Sequence, residues 1–150
     1  MGDVTIRMTV EGALPKYETE GAAGMDLKAL LEAPVCLLPG QRALITTGLR
    51  IELPSGYEAQ VRARSGLAAK YGIGLVNGIG TIDRDYRGEI KICLINWGDD
   101  PFIINNGDRI AQLVIAKYSR ADIDIVDSLT ETDRGSGGFG HTGFGEGDGK

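Results

Sequence analysis

Apolar and polar residues alternate along much of the chain. VTIRMTV (4–10), ALITTGLRIEL (43–53), YEAQVRA (57–63), EIKICLI (89–95) and DIDIVD (122–127) each repeat with a period of two. That spacing gives one set of side chains to each face of a strand. RIAQLVIAKY (109–118) is longer and more continuously apolar, and it also reads as a strand. Turn-forming residues punctuate these runs at Leu38-Pro39-Gly40, Leu53-Pro54-Ser55-Gly56, Asn96 to Pro101 and Asn105-Asn106-Gly107-Asp108. One short helix is predicted around Gly66 to Tyr71, where Leu67, Ala68, Ala69 and Lys70 favour helix. KALLEA (28–33) fits helix or strand.

Many short strands separated by turns predict an all-β fold, a jelly-roll β-barrel or sandwich with one short helix. The periodicity stops after Thr132. RGSGGFGHTGFGEGDGK (134–150) then holds eight Gly in seventeen residues. The expected organisation is a folded domain over 1–133 and a flexible Gly-rich C-terminal arm over 134–150. The arm contains neither a phosphate-binding GxxxxGK[ST] loop nor a strand-to-helix GxGxxG.

Composition narrows the functional classes. The 150 residues fit one domain with a substantial core. A net charge of −5 argues against binding nucleic acid through its phosphate backbone. No apolar run approaches the roughly 20 residues of a membrane-spanning helix, and the N-terminus has no signal-peptide pattern. A cytoplasmic or otherwise intracellular protein with no membrane partner is expected. Cys36 and Cys93 stand far apart with a single His in the chain, so a structural zinc site is not expected.

Four segments carry more chemistry than strands need. In GAAGMDLKA (21–29), Asp26 lies among small apolar residues, where a carboxylate needs either an ionic partner or local N–H groups to cap. In VRARSGLAAKYG (61–72), Arg64-Ser65-Gly66 leads from a strand into the helix. These residues suit a phosphate, or Ser65 is a simple N-cap. In NGIGTIDRDYRGE (77–89), Asp83, Asp85, Tyr86 and Arg87 crowd one turn, and Asp83 could act as a general base. In GDRIAQLV (107–114), Gln112 interrupts an apolar strand and needs a hydrogen-bond partner. Together with the arm, they supply arginines, hydroxyls, carboxylates and aromatic rings, a set suited to a polyphosphate that carries a ring.

In chain order, AAGMDLKA, RSGLAAK, GTIDRDYRGE, GDRIAQLV and RGSGGFGHTG resemble the five motifs of the trimeric dUTPase family, across residues 22 to 143. The resemblance implies a jelly roll assembled as a homotrimer with active sites shared between subunits. It implies hydrolysis of dUTP to dUMP and pyrophosphate, which limits uracil incorporation into DNA and supplies dUMP for thymidylate synthesis. By the same resemblance, Asp83 would activate the attacking water. Asp26 would hold Mg²⁺ through water. Arg64, Ser65, Gly66 and Gln112 would bind phosphate. Asn77, Thr81 and Ile82 would read uracil, Tyr86 would pack against the deoxyribose, and Lys91 would line the same pocket. Residues 134–143 would close over the active site, with Arg134, Ser136, Gly140 and Thr142 on phosphate and Phe139 on uracil. Two positions depart from the usual motifs: Met25 precedes the metal-binding Asp, and His141 replaces a usual Ser. A dCTP deaminase and a non-catalytic nucleotide-responsive module are the alternative functions.

Overall fold

The computed structural model describes residues 4–138. Two compact units divide the chain, residues 1–119 and 120–150. The first holds all eleven strands and the helix found among the described residues. The strands are β1 (Arg7–Val10), β2 (Met25–Lys28), β3 (Val35–Leu37), β4 (Arg42–Thr46), β5 (Leu49–Glu52), β6 (Tyr57–Arg62), β7 (Ile73–Leu75), β8 (Ile79–Ile82), β9 (Lys91–Asn96), β10 (Phe102–Ile104) and β11 (Arg109–Lys117). The helix α1 (Ser65–Tyr71) lies between β6 and β7.

Every strand pairing is antiparallel. One sheet runs β2-β11-β6-β8 and another β4-β9-β7, while β1 pairs with β5 and β3 with β10. Each sheet keeps two edge strands, so the architecture is a jelly-roll sandwich and not a closed barrel. Alternation decides which face is inward. In β9, Ile92, Leu94 and Asn96 are buried and Lys91 is exposed. Leu27 of β2, Ile45 of β4, Leu49 of β5, Leu94 of β9 and Leu113 of β11 belong to one core. Each such side chain contributes about 1.5–3 kcal/mol through burial.

The predicted turns form where glycine can take a left-handed backbone. Gly40, Gly56 and Gly107 have φ of 77°, 83° and 84°. The helix begins at Ser65, with Arg64 as its N-cap and no side-chain cap, so Ser65 is the first helical residue and not the cap. It ends at Gly72, φ 67°, whose N–H donates to the Ala68 carbonyl. KALLEA forms no helix: Lys28 closes β2, and the Ala29 N–H donates to the Asp108 carbonyl.

Two expected strands come out differently. ALITTGLRIEL is two strands, because Gly48 (φ 69°) turns the chain from pairing with β9 to pairing with β1. DIDIVD forms no strand, and Ile123 and Ile125 are exposed. Alternation supplies a face but no partner, and an extended segment becomes a strand only when another backbone satisfies its N–H and C=O groups. Among the described residues, no helix is long and apolar enough to cross a membrane.

Candidate active site

Two groups of polar residues stand apart within the first unit. The first surrounds a cavity of about 340 Å³, the size of a small-ligand site. Asn77, Thr81, Ile82, Asp83, Tyr86 and Lys91 all line it. The sheet explains the grouping. β8 pairs with the edge of β6, Ala59 opposite Ile82 and Val61 opposite Gly80. Gly80 permits that approach, since a Cβ there would stand 3.2 Å from Val61 Cβ and from Asn77 Nδ2. Ile82 is buried and anchors the strand end, which leaves Asp83 exposed at the cavity mouth.

The loop after β8 closes on itself. The Tyr86 N–H donates to the Asp83 carbonyl at 3.1 Å. Arg87 Nη1 donates to the carbonyls of Arg84 (2.7 Å) and Tyr86 (3.1 Å). Glu89 then ties the loop to the β4–β5 corner, where its Oε1 accepts the Gly48 N–H at 2.9 Å. Its Oε2 lies 3.9 Å from Lys91 Nζ. Glu89 and Cys93 also line the cavity, and the sequence reading did not include them. The signal for Glu89 was its place two residues before Lys91, on the same side of an extended chain.

The second group is built on Asp26, only 7% exposed. Arg109 Nη1 donates to its Oδ2 at 3.3 Å, and Arg64 Nε lies 3.6 Å from its Oδ1. Arg64 Nη1 also donates to the Arg109 carbonyl at 2.9 Å. Strand pairing places Gln112 opposite both Asp26 of β2 and Arg62 of β6. A shift in register between Arg109 and Ala111 marks where β11 departs from regular pairing with β2. Ser65 and Gly66 follow Arg64 as exposed residues of the first helical turn. Asp26 therefore takes the ionic partners that its apolar setting required. Arg109 is the member of this cluster that the sequence reading missed, although its place at the start of GDRIAQLV was visible.

Asp26 is also the acid that the resemblance links to Mg²⁺. Both its oxygens face guanidinium groups. Among the described residues no three His, Cys, Asp or Glu side chains are grouped to hold an ion. Mg²⁺ demands near-octahedral oxygen ligation and keeps several waters. With both oxygens paired to guanidinium groups, Asp26 is not part of a protein-built cage for such an ion, and any contact with it would run through water.

In the second unit, Thr132 to Gly135 form a turn, in which the Gly135 N–H donates to the Thr132 carbonyl at 2.9 Å. Arg134 Nε donates to the Gly137 carbonyl at 2.9 Å, and Ser136 lies inside that loop. Phe139, Gly140 and Thr142 lie outside the described residues.

The chain is thus an antiparallel jelly-roll sandwich that carries an acid-bearing loop beside a small cavity and, apart from it, a guanidinium cluster around a buried carboxylate. The family model for dUTPase matches residues 11–143. The chain belongs to the dUTPase family. It is 60% identical over 133 residues to a deoxyuridine 5'-triphosphate nucleotidohydrolase of Chlamydia pneumoniae, covering 88% of this chain and 92% of that protein. Its fold matches a mutant dUTPase of Staphylococcus bacteriophage 80alpha, solved with dUpNHpp, at a TM-score of 0.84 and 23% identity. That match covers 93% of this chain and 99% of the other. A mutant dUTPase from phage phi11 of S. aureus, described for its coordination of a structural Mg(II) ion, matches at a TM-score of 0.75 and 23% identity. It covers 83% of this chain and 98% of the other.

Proposed function

We propose that the protein hydrolyses dUTP to dUMP and pyrophosphate at sites assembled between the subunits of a homotrimer. Family membership and the Chlamydia pneumoniae relative support the substrate. One observation carries the assembled-site reading. None of Asp26, Arg64, Ser65, Gly66 or Gln112 lines the Asp83 cavity. One chain thus holds a cavity suited to a base and sugar, and apart from it a cationic cluster suited to phosphates. Two chains placed side by side would bring these halves together.

Each side chain then has a task. Asn77, Thr81 and Ile82 hold uracil, partly through backbone groups, and Tyr86 packs against the deoxyribose. Arg64, Ser65, Gly66 and Gln112 hold phosphate oxygens. Asp26 fixes the Arg64 guanidinium and would accept hydrogen bonds from waters of a hydrated Mg²⁺. Asp83 orients a water at the α-phosphorus and takes its proton as pyrophosphate leaves on the opposite side. Little covalent chemistry falls to the protein, so positioning and charge stabilisation dominate. A divalent cation such as Mg²⁺, when bound with the substrate, would supply charge compensation for the phosphates. Residues 134–143 close over the triphosphate from a third subunit, with Arg134, Ser136, Gly140 and Thr142 on phosphate and Phe139 on the base. Closure excludes bulk water and leaves the one attacking water at Asp83. The product dUMP feeds thymidylate synthesis, and removal of dUTP keeps uracil out of DNA.

Hydrolysis in ¹⁸O-water tests the chemistry. Label in dUMP is expected. Label in pyrophosphate alone, or stepwise release of single phosphates, contradicts attack at the α-phosphorus. Loss of ammonia from dCTP in a parallel assay would indicate a deaminase.

A further inference from the structure

We propose that Gly88 determines sugar specificity by setting the position of the Tyr86 ring. The inference rests on the reading of the Asp83 cavity as the nucleoside site. The Tyr86 ring lies across Gly88, and a Cβ at residue 88 would overlap its Cε2, Cζ and hydroxyl. The Tyr86 hydroxyl donates to the Glu89 carbonyl at 3.0 Å. That carbonyl is held by its own peptide plane, because the Ile90 N–H at the plane's other edge donates to the Leu49 carbonyl at 2.8 Å. At its other end, the Tyr86 N–H is held by the Asp83 carbonyl. The ring is therefore fixed at both ends, and only the missing side chain at residue 88 lets it lie there.

The consequence is selectivity by exclusion. A fixed aromatic wall rejects an added sugar hydroxyl through clash, whereas a wall that can swing aside yields to it. The backbone of Gly88 does not require glycine, because its φ is not in the left-handed region. Alanine at 88 fits the main chain, and its steric effect falls on the far end of the Tyr86 side chain. Tyr86 is 47% exposed, so a ring pushed off its Glu89 tie has open space toward solvent. The variant should therefore fold with the ring displaced.

The test compares kcat/KM for dUTP and for UTP in the full-length protein with Mg²⁺, for wild type, Gly88→Ala and Tyr86→Phe. Gly88→Ala is expected to lower the dUTP-to-UTP preference by about tenfold or more, the scale of a misfitting small group. Tyr86→Phe keeps the ring but loses the tie to Glu89, and should lower the preference about threefold, the scale of one hydrogen bond. A purely structural role for Gly88 would slow both substrates in proportion and leave the ratio unchanged, which would overturn the proposal. If Gly88→Ala fails to fold, an unchanged ratio in Tyr86→Phe overturns it instead. A wild type that hydrolyses neither nucleotide overturns the reading of the site and this inference with it. A wild type that prefers dUTP, beside a Gly88→Ala variant that keeps the preference, overturns this inference alone.

Discussion

Arg109 Nη1 lies 3.3 Å from Oδ2 of Asp26, a carboxylate that is 7% exposed. Arg64 reaches the other oxygen of the same group. A buried anion between two guanidinium groups holds both in place, and removing it leaves two cations facing each other. Asp26→Ala should lower unfolding stability by about 2 kcal/mol, the scale of a broken charge-assisted pair whose arginines remain partly in water. Urea titration with an unchanged m-value checks this. Turnover of dUTP should fall as well, because Arg64 loses its orientation. Full activity in a destabilised variant would confine Asp26 to the fold.

Asp83 lines the cavity with its side chain exposed. A general base in that position can be removed without disturbing ligand binding. Asp83→Asn should lower kcat by about 10²–10⁴-fold, the usual range for a positioned base. Calorimetry with dUTP should give a Kd within a few-fold of the wild-type KM. Normal hydrolysis by this variant would assign the proton to another group.

The arm is expected to contribute to activity and not to the folding of the strand domain. All eleven strands found lie before Arg120. Deleting residues 134–150 should leave the melting temperature nearly unchanged while turnover collapses. A truncated protein with full activity would remove residues 134–143 from the site.

Much of this was readable from the chain, and the reasons differ by element. The turns at Gly40, Gly56 and Gly107 were legible because a left-handed backbone selects glycine. The helix was legible from the run of helix formers ending at Gly72. The split of ALITTGLRIEL at Gly48 was not, since alternation persists through a residue at which the chain changes partner strands. Asn96 read as a turn residue, yet it is fully buried at the end of β9. Its amide donates to the carbonyls of Leu37 (2.9 Å) and Asp100 (2.8 Å) and accepts from the Gly98 N–H. Asp100 and Gly98 belong to the same turn, but Leu37 lies 59 residues away, and no local pattern announces that partner. The same holds at the site. Asp83 stood out as an acid crowded into a turn, whereas Arg109 and Glu89 gain their meaning only from Asp26 and Gly48, 83 and 41 residues away in sequence.

The central claim is that the Asp83 cavity of one subunit works with the Arg64 cluster of another. Mixed trimers test it most directly. Asp83→Asn and Arg64→Ala chains, each inactive alone, are unfolded together and refolded as an equal mixture. If each site draws its two halves from different subunits, random assembly restores about a quarter of the sites, and dUTP turnover rises to about a quarter of wild type. If both halves of a site come from one chain, every site keeps one lesion, and the mixture stays as inactive as its parents.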